Sequence, residues 1–433
     1  MALKLKENNN NNNIVYQTVP INTGMPHQPN GIPIGAPQYS YVNLNPVRIP
    51  EAPPVEMPET SLPRALNYYA DYGGCGFWRM IWPEFLMNGF QKACVSGLTC
   101  MVLDPRFYKD IKAIRMQRQA TPVQRDFIKE LKKIGSSFGF RMIYEVDDIV
   151  FKDDIPDYNR CKGPFCDQAI TDSIVDIMQT MDEVTVTCNY MKEYYKEKIG
   201  NKRITVIPNY APKFWLDRFH DRERIKNNFE KNRKRPRILY AGSGTHIDVL
   251  NKTNGKDDFG HVLESIIKAR KKFKFVFKGC YPIALKPFMD SGEMEYLEWS
   301  PLFDLPRGLS DANCSAVYAP LVDNVFNKSK SNIKMIESGA LGIPGVFQDL
   351  CTYEQADLKF KSGDDLINQL EYLTSDFDRY MKLSDKSRNY VEGMWLEDHM
   401  DEYQAVYFSE WGSKQRKEMS PNLIKLNPDQ ENP

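Results

Sequence analysis

An α/β architecture of two doubly wound domains facing a cleft is what this sequence predicts, and three observations carry it. Short apolar segments alternate with helical stretches between residues 63 and 212, as parallel strands joined by crossovers require. A second series of the same kind starts at 237. Between them, 213–237 holds ten Lys or Arg against four Asp or Glu and few aliphatics, which reads as a linker over 213–236. The length of 433 residues suits two cores better than one.

Residues 1–62 combine an Asn run at 8–13 with Pro53, Pro54 and Pro58, and are expected to form a flexible arm. In the first domain, 63–212, strands are expected at 65–70, 113–116, 141–146, 183–187 and 204–207. A glycine-rich turn at 71–76 leads into a helix at 77–87 that Pro83 interrupts. Further helices fall at 122–134, 169–181 and 189–197. In the second domain, 237–395, strands are expected at 237–241, 273–277, 296–299, 316–319 and 345–347, with helices at 259–270 and 333–340. Long helical patterns fill 364–411, and 396–433 reads as a helix returning toward the first domain followed by a loose tail.

Composition removes several function classes. Lys plus Arg and Asp plus Glu both number 57, so the chain as a whole is not a basic nucleic-acid coat. No run of about 18 apolar residues predicts a membrane span. The N-terminus lacks an apolar leader core and the nine Cys form no framework, so the expected location is the cytoplasm. Cys161 and Cys166 have no second pair at zinc spacing, and no metal site is expected.

Chemistry concentrates in a few segments. In 326–346, Ser331 or Asn332 can cap the helix that follows, whose N-terminal N–H groups and dipole suit a diphosphate. Lys328 and Lys330 add positive charge, and Glu337 lies two turns on, where a carboxylate can accept hydrogen bonds from a ribose diol. The same spacing equally fits a capped amphipathic helix with solvated lysines. Gly242, Ser243 and Gly244 form a loop whose backbone can approach phosphate, and His246 can bond a phosphate or a sugar hydroxyl. In the first domain, Asp71 can act as general base or orient an acceptor hydroxyl, with Gly73 and Gly74 leaving room for substrate. Asp147 and Asp148 fall at the end of an expected strand and complete the catalytic candidates.

These motifs together resemble the GT-B glycosyltransferases, particularly the large retaining family with a Glu-x7-Glu motif. Residues 329–344, which read Ser-Lys-Ser-x-x-Lys-x-x-Glu-x-x-Ala-Leu-Gly-Ile-Pro, look like that family's nucleotide-sugar segment. Tyr240 to His246 looks like its Gly-Ser-x-Thr-His loop, 144–150 like its D-x-D-D segment, and 184–187 and 206–209 like its V-T-V-S and V-I-P-N segments. The resemblance spans about residues 64 to 411. The position of the first Glu is Ser329, a departure that puts sugar specificity and stereochemistry in question.

The resemblance implies a two-domain enzyme with no tightly bound cofactor and no required metal. It implies a nucleotide-sugar donor, UDP-type by default, that gives up a pentose such as arabinose, or glucose. The acceptor implied by overall likeness to tailed-phage glycosyltransferases is 5-hydroxymethylcytosine in duplex DNA. Basic runs at 109–133, 213–237 and 268–278 favour that reading, as do Trp78, Arg79, Trp82 and Phe85, which can wedge beside an extruded base. A lipid-linked or surface polysaccharide acceptor is the alternative, and a non-catalytic interaction protein a second one.

Overall fold

Runs of aliphatic and aromatic residues bounded by turn residues become strands, and each half of the chain gathers them into its own parallel sheet. The structure, a computed structural model, describes residues 60–200, 202–249 and 253–408 and the backbone of two short strands, β1 (Val15–Thr18) and β2 (Leu44–Val47). Apart from residues 60–62 and those strands, the expected arm at 1–62 lies outside the described residues, as does the expected tail beyond 408.

The first domain contributes β3 (Arg64–Tyr68), β4 (Cys94–Leu98), β5 (Met101–Val102), β6 (Ile111–Gln117), β7 (Arg141–Glu145), β8 (Glu183–Val186) and β9 (Ile204–Val206). Six of them form one parallel sheet in the order β4-β3-β6-β7-β8-β9, while β5 pairs antiparallel with β1, which also pairs with β2. The second domain contributes β10 (Arg237–Ala241), β11 (Lys274–Lys278), β12 (Glu295–Leu297), β13 (Ala316–Ala319), β14 (Gly345–Gln348) and β15 (Lys359–Phe360), parallel in the order β12-β11-β10-β13-β14-β15. Strand order reverses between β3 and β6 in one sheet and between β10 and β13 in the other. Ligands of such sheets bind beyond the carboxyl ends of the strands at those reversals.

The helix after β3 explains itself residue by residue. It runs as Gly74–Gly76, a wide π turn Phe77–Ile81, then Trp82–Gly89, so Pro83 does not end it. Pro83 has no N–H for the Arg79 carbonyl four residues back. That carbonyl instead accepts a hydrogen bond from the Arg115 guanidinium at 3.0 Å. Gly76 is required here, because a Cβ would overlap the Asp71 carbonyl oxygen.

The segment 213–236 carries helices Lys213–Leu216 and Arg222–Asn232, and Ile225 and Phe229 of the second are buried in the second domain's core. Phe229 packs on Tyr380 at 4.7 Å between ring centres. Helix Phe377–Glu392 lies against helix Ile333–Ala340, and the chain then returns: Ala211 and Trp395 form a bridge between strands of backbone, and helix Met400–Tyr407 settles on the first domain. There Tyr407 donates to Asn67 at 2.6 Å. One apolar cluster consequently runs through both domains, from Ala65 and Ile143 to Leu239 and Val317. Among the described residues no helix is long and apolar enough to cross a membrane.

Glu145 at the end of β7 is fully buried between Arg79 and Arg115. Burial pushes its carboxyl up, but the two guanidiniums outweigh that and hold it below the ordinary 4.5. Its share of stability is therefore present above about pH 4.5 and lost as the pH falls through the lower folded value. Glu145→Gln leaves two buried cations without a counter-charge and is expected to lower the unfolding free energy by about 3–5 kcal/mol. Urea unfolding at neutral pH measures this, and an unchanged midpoint would show the cluster to be neutral in stability.

Candidate active site

Both strand-order reversals point into the space between the domains, and the sequence-predicted groups collect there. In the first domain the loops after β3 and β6 supply Asp71 and Arg118, which pair with each other. Asp71 also accepts from the N–H groups of Gly73 at 2.7 Å and Gly76 at 3.2 Å. Its carboxylate thus holds the loop that Gly73 and Gly74 belong to, and a Cβ at Gly74 would meet open space. Arg118 also faces Asp147 at 3.5 Å. Burial pushes Asp147 up, and Arg118 with a Cys75 hydrogen bond more than offsets it, leaving this carboxyl below its ordinary value. The same burial, with Asp147 beside it, pushes the Cys75 thiol well up.

Asp148 reaches across to the other domain. Lys330 donates to its two oxygens at 2.9 and 3.1 Å, an ion pair that spans the cleft. Burial opposes the charge on Lys330, but Asp148 raises its pKa on balance. A second bridge joins Asn209, at the end of the first domain, to Ser331, whose hydroxyl oxygen accepts from the Asn209 amide at 2.8 Å.

In the second domain the chain leaves β10 through Gly242, Ser243 and Gly244. Ser243 and Thr245 hydroxyls bond one another at 2.8 Å. His246 Nδ1 lies 2.7 Å from Asp258 Oδ2. Burial lowers the His246 pKa against the opposing pull of Asp258, so the neutral ring donates through Nδ1. A neutral ring suits a sugar hydroxyl better than a phosphate charge. Asp258 is fully buried and also accepts from Tyr158, Asn327 and the Val322 N–H.

Helix Ile333–Ala340 begins without a side-chain cap, contrary to the expectation for Ser331 or Asn332. Ser331 is taken by Asn209, and the Asn332 amide donates to Tyr390 at 2.6 Å. The Met335 N–H bonds the Asn332 carbonyl at 2.9 Å, and the Ile333 and Lys334 N–H groups are those that can face an anion. Lys334, one residue into the helix, donates to the Ala241 carbonyl at 2.6 Å and stands beside Gly242. With Glu337 it lines a mostly apolar pocket shared with Leu239, Ala241, Leu309 and Phe347. Burial pushes Lys334 down to about 8, and burial opposed by Lys334 pushes Glu337 up to about 7. Among the described residues the Glu337 carboxylate has no hydrogen-bond partner.

Three expected site residues fall elsewhere. Lys328 pairs with Asp323 at 2.6 Å on the outer side of its turn, so it is not at the helix end with Lys330. Trp78 and Arg79 are corrected as acceptor contacts, because both are buried. Trp78 packs edge-on against Trp215 at 6.2 Å, and Arg79 bonds Glu145, the Ile207 carbonyl and Asn209. Part of the basic runs is paired with acids: Lys129 with Asp176 at 2.5 Å, Lys133 with Glu130 at 2.6 Å, Lys268 with Glu264 at 2.6 Å and Arg270 with Glu293 at 2.8 Å. Ser329 is buried with its hydroxyl on the Phe326 carbonyl, so it does not stand in for the missing Glu. The sequence reading passed over Arg118, Asn209, Asp258 and Lys334 as site residues. It also passed over Trp299, which packs over Gly279 where the chain takes φ +91. Lys334 was legible in its motif; the others have partners too far along the chain to be read.

No protein-family model and no curated protein matches the chain. Among solved structures it is similar to Anabaena Alr3699/HepE in complex with UDP and glucose, with TM-score 0.53 and 10% identity over 81% of this chain and 100% of that one. It is also similar to TarM, at TM-score 0.45 and 11% identity over 69% of this chain and 55% of that one. A third likeness is to Phytolacca americana UGT2 complexed with UDP-2fluoro-glucose and pterostilbene, at TM-score 0.40 and 11% identity over 82% of this chain and 100% of that one. The expected architecture is borne out: two parallel six-stranded sheets with helices on a GT-B fold.

Proposed function

We propose that this chain is a glycosyltransferase that moves a sugar from a nucleoside-diphosphate donor, UDP-type by default, to an acceptor hydroxyl held between the domains. The observation that carries this reading is the uncapped end of helix Ile333–Ala340, gathered with Lys330, Lys334 and the unpartnered Glu337 at the second sheet's strand-order reversal. Glu337 accepts the ribose hydroxyls, the helix end and lysines take the diphosphate, and Trp299 offers a ring face beside the loop. The structural likeness to a protein that holds UDP and glucose supports it at the level of fold.

In the reaction the bond from the sugar's anomeric carbon to the diphosphate oxygen breaks and the bond to the acceptor oxygen forms. The acceptor's proton goes to a carboxylate, and the diphosphate leaves with the bonding electron pair. Asp71 already accepts from two backbone N–H groups and Arg118, so its work is to hold the loop. Asp148 bonds only Lys330 through its side chain among the described residues. A donor diphosphate competes for Lys330 and leaves Asp148 free to take the proton. The growing charge on the leaving diphosphate is met by Lys330, Lys334 and the helix end, so this reading calls for no metal ion.

For the acceptor, 5-hydroxymethylcytosine in DNA remains a candidate to be tested, but Trp78, Arg79 and the basic runs no longer support it. One surface feature favours an acceptor with an apolar carrier, such as a lipid-linked glycan. Phe85, Phe214 and Phe303, respectively 56%, 39% and 60% exposed, come from both domains and surround Trp82.

Three outcomes test these statements. Glu337→Ala is expected to keep the fold and weaken donor binding by about 1–3 kcal/mol in calorimetry, with unchanged affinity removing Glu337 from the site. In the parent protein donor affinity should fall as the pH drops below about 7, where Glu337 takes up its proton, and Glu337→Gln should flatten that dependence. Mass spectrometry of a donor panel crossed with hydroxymethylcytosine DNA, a lipid-linked glycan and a soluble glycan identifies the acceptor. Transfer to none of them from any donor contradicts the reading.

A further inference from the structure

The stretch between β7 and helix Gln168–Thr180 belongs to the first domain by sequence but is fastened to the second. Tyr158 is buried, and its hydroxyl donates to Asp258 Oδ1 at 2.8 Å. The Asn327 amide donates to the Tyr158 oxygen at 3.2 Å, so the second domain holds this ring from two sides. Asn159 is buried as well and fixes the next turn, its side-chain oxygen accepting from the Cys161 N–H at 2.9 Å. These bonds set the direction of Arg160, which follows them.

The Arg160 guanidinium carbon stands 3.8 Å from the point a Cβ on Gly244 would occupy. At the other end of the same loop, Lys334 Nζ stands 2.9 Å from the corresponding point on Gly242. Two cations, one from each domain, therefore flank a bare stretch of backbone. Lys334 has Glu337 beside it, whereas Arg160 has no hydrogen bond or ion pair among the described residues. The nearby acid Asp157 is spent on Lys162 at 2.7 Å. A half-buried guanidinium left without a counter-charge over a glycine loop calls for an anion with oxygens in a fork.

We infer that Arg160 is a donor-binding residue supplied by the acceptor domain, that its ligand is the diphosphate of the nucleotide sugar, and that Tyr158 is the positioning residue that aims it. The inference rests on the glycosyltransferase reading above. It adds that a bound donor ties the two domains together, through Arg160 on one side of the loop and Lys334 on the other.

Calorimetry with UDP and with uridine separates a diphosphate contact from a general effect on the site, with GDP and guanosine used if UDP does not bind. Arg160→Ala is expected to weaken UDP by about tenfold or more and to leave uridine within about twofold. Arg160→Lys should recover part of the loss, since charge returns without the fork. Tyr158→Phe should weaken UDP by a smaller factor with uridine unchanged. Parent-like UDP affinity in Arg160→Ala overturns the inference, as does an equal loss for UDP and uridine. Failure of the parent protein to bind any nucleoside diphosphate overturns the glycosyltransferase reading itself, and this inference with it.

Discussion

A single carboxylate, Glu145, organises more of this molecule than any other side chain. It sits without solvent between two equally buried guanidiniums. Arg79 carries the connection to the end of the first domain, donating to the Ile207 carbonyl at 2.8 Å and to the Asn209 side chain at 3.0 Å. Arg115 carries it to the helix that runs through Pro83 and lies under the rings of Tyr403 and Tyr407 at 5.4 and 5.8 Å. Through those two arms, the first loop's helix, the crossing between domains and the returning C-terminal helix are all registered against β7. Each buried cation is costly alone, and the cluster persists because every element around it satisfies a share of its donors.

That registration matters because the cleft is built from bridges short enough to be intolerant of misplacement. Asn209 hands the buried cluster on to Ser331, two residues before the uncapped helix. The Lys330 pair with Asp148 and the Tyr158 bond to Asp258 close the space from two further directions. All three bridges join a first-domain residue to the segment 258–331, so the half of the cleft proposed to hold the nucleotide is positioned by the opposite domain. This is the physical content of a cleft between two sheets: the strand ends define where a ligand goes, and side chains from the facing domain define how closely it is held.

The parallel strands and the helix at 333–340 were legible because their signals are local, a run of aliphatics between glycines or a lysine-to-glutamate spacing. The edge strands Cys94–Leu98 and Lys359–Phe360 were not, since one contains Ser and Gly and the other is two residues long. Trp78 and Arg79 looked available because an arginine beside an aromatic normally is. What buries Arg79 is Glu145, 66 residues away, and no local pattern announces such a partner. The basic runs misled for the same reason: Lys129 and Lys272 find their acids on neighbouring helices, at Asp176 and Glu371. Lys328 and Lys330 were indistinguishable by spacing, and the intervening turn sends them to opposite sides, one to Asp323 and one to Asp148.

Several charges facing the cleft are paired across short distances: Lys330 with Asp148, and Arg118 with Asp71 and Asp147. On the proposed reading an entering diphosphate meets one cation without a counter-charge among the described residues, Arg160, and exchanges for a carboxylate at Lys330. On that reading the ground-state attraction is reduced by the cost of breaking the Lys330 pair, and the carboxylate released is the proposed proton acceptor. The pairs differ in how readily they exchange. Arg118 shares its fork between two acids that also hold the loop, so it stays. Lys330, a single ammonium on a flexible stem, can turn from Asp148 to a phosphate oxygen without disturbing the backbone. Burial disfavours the charged form of both Lys334 and Glu337, lowering one and raising the other. On the proposed reading a ribose hydroxyl at Glu337 and a phosphate at Lys334 would each favour the charged form that burial opposes, which ties recognition of the nucleotide to the charge balance of the transfer.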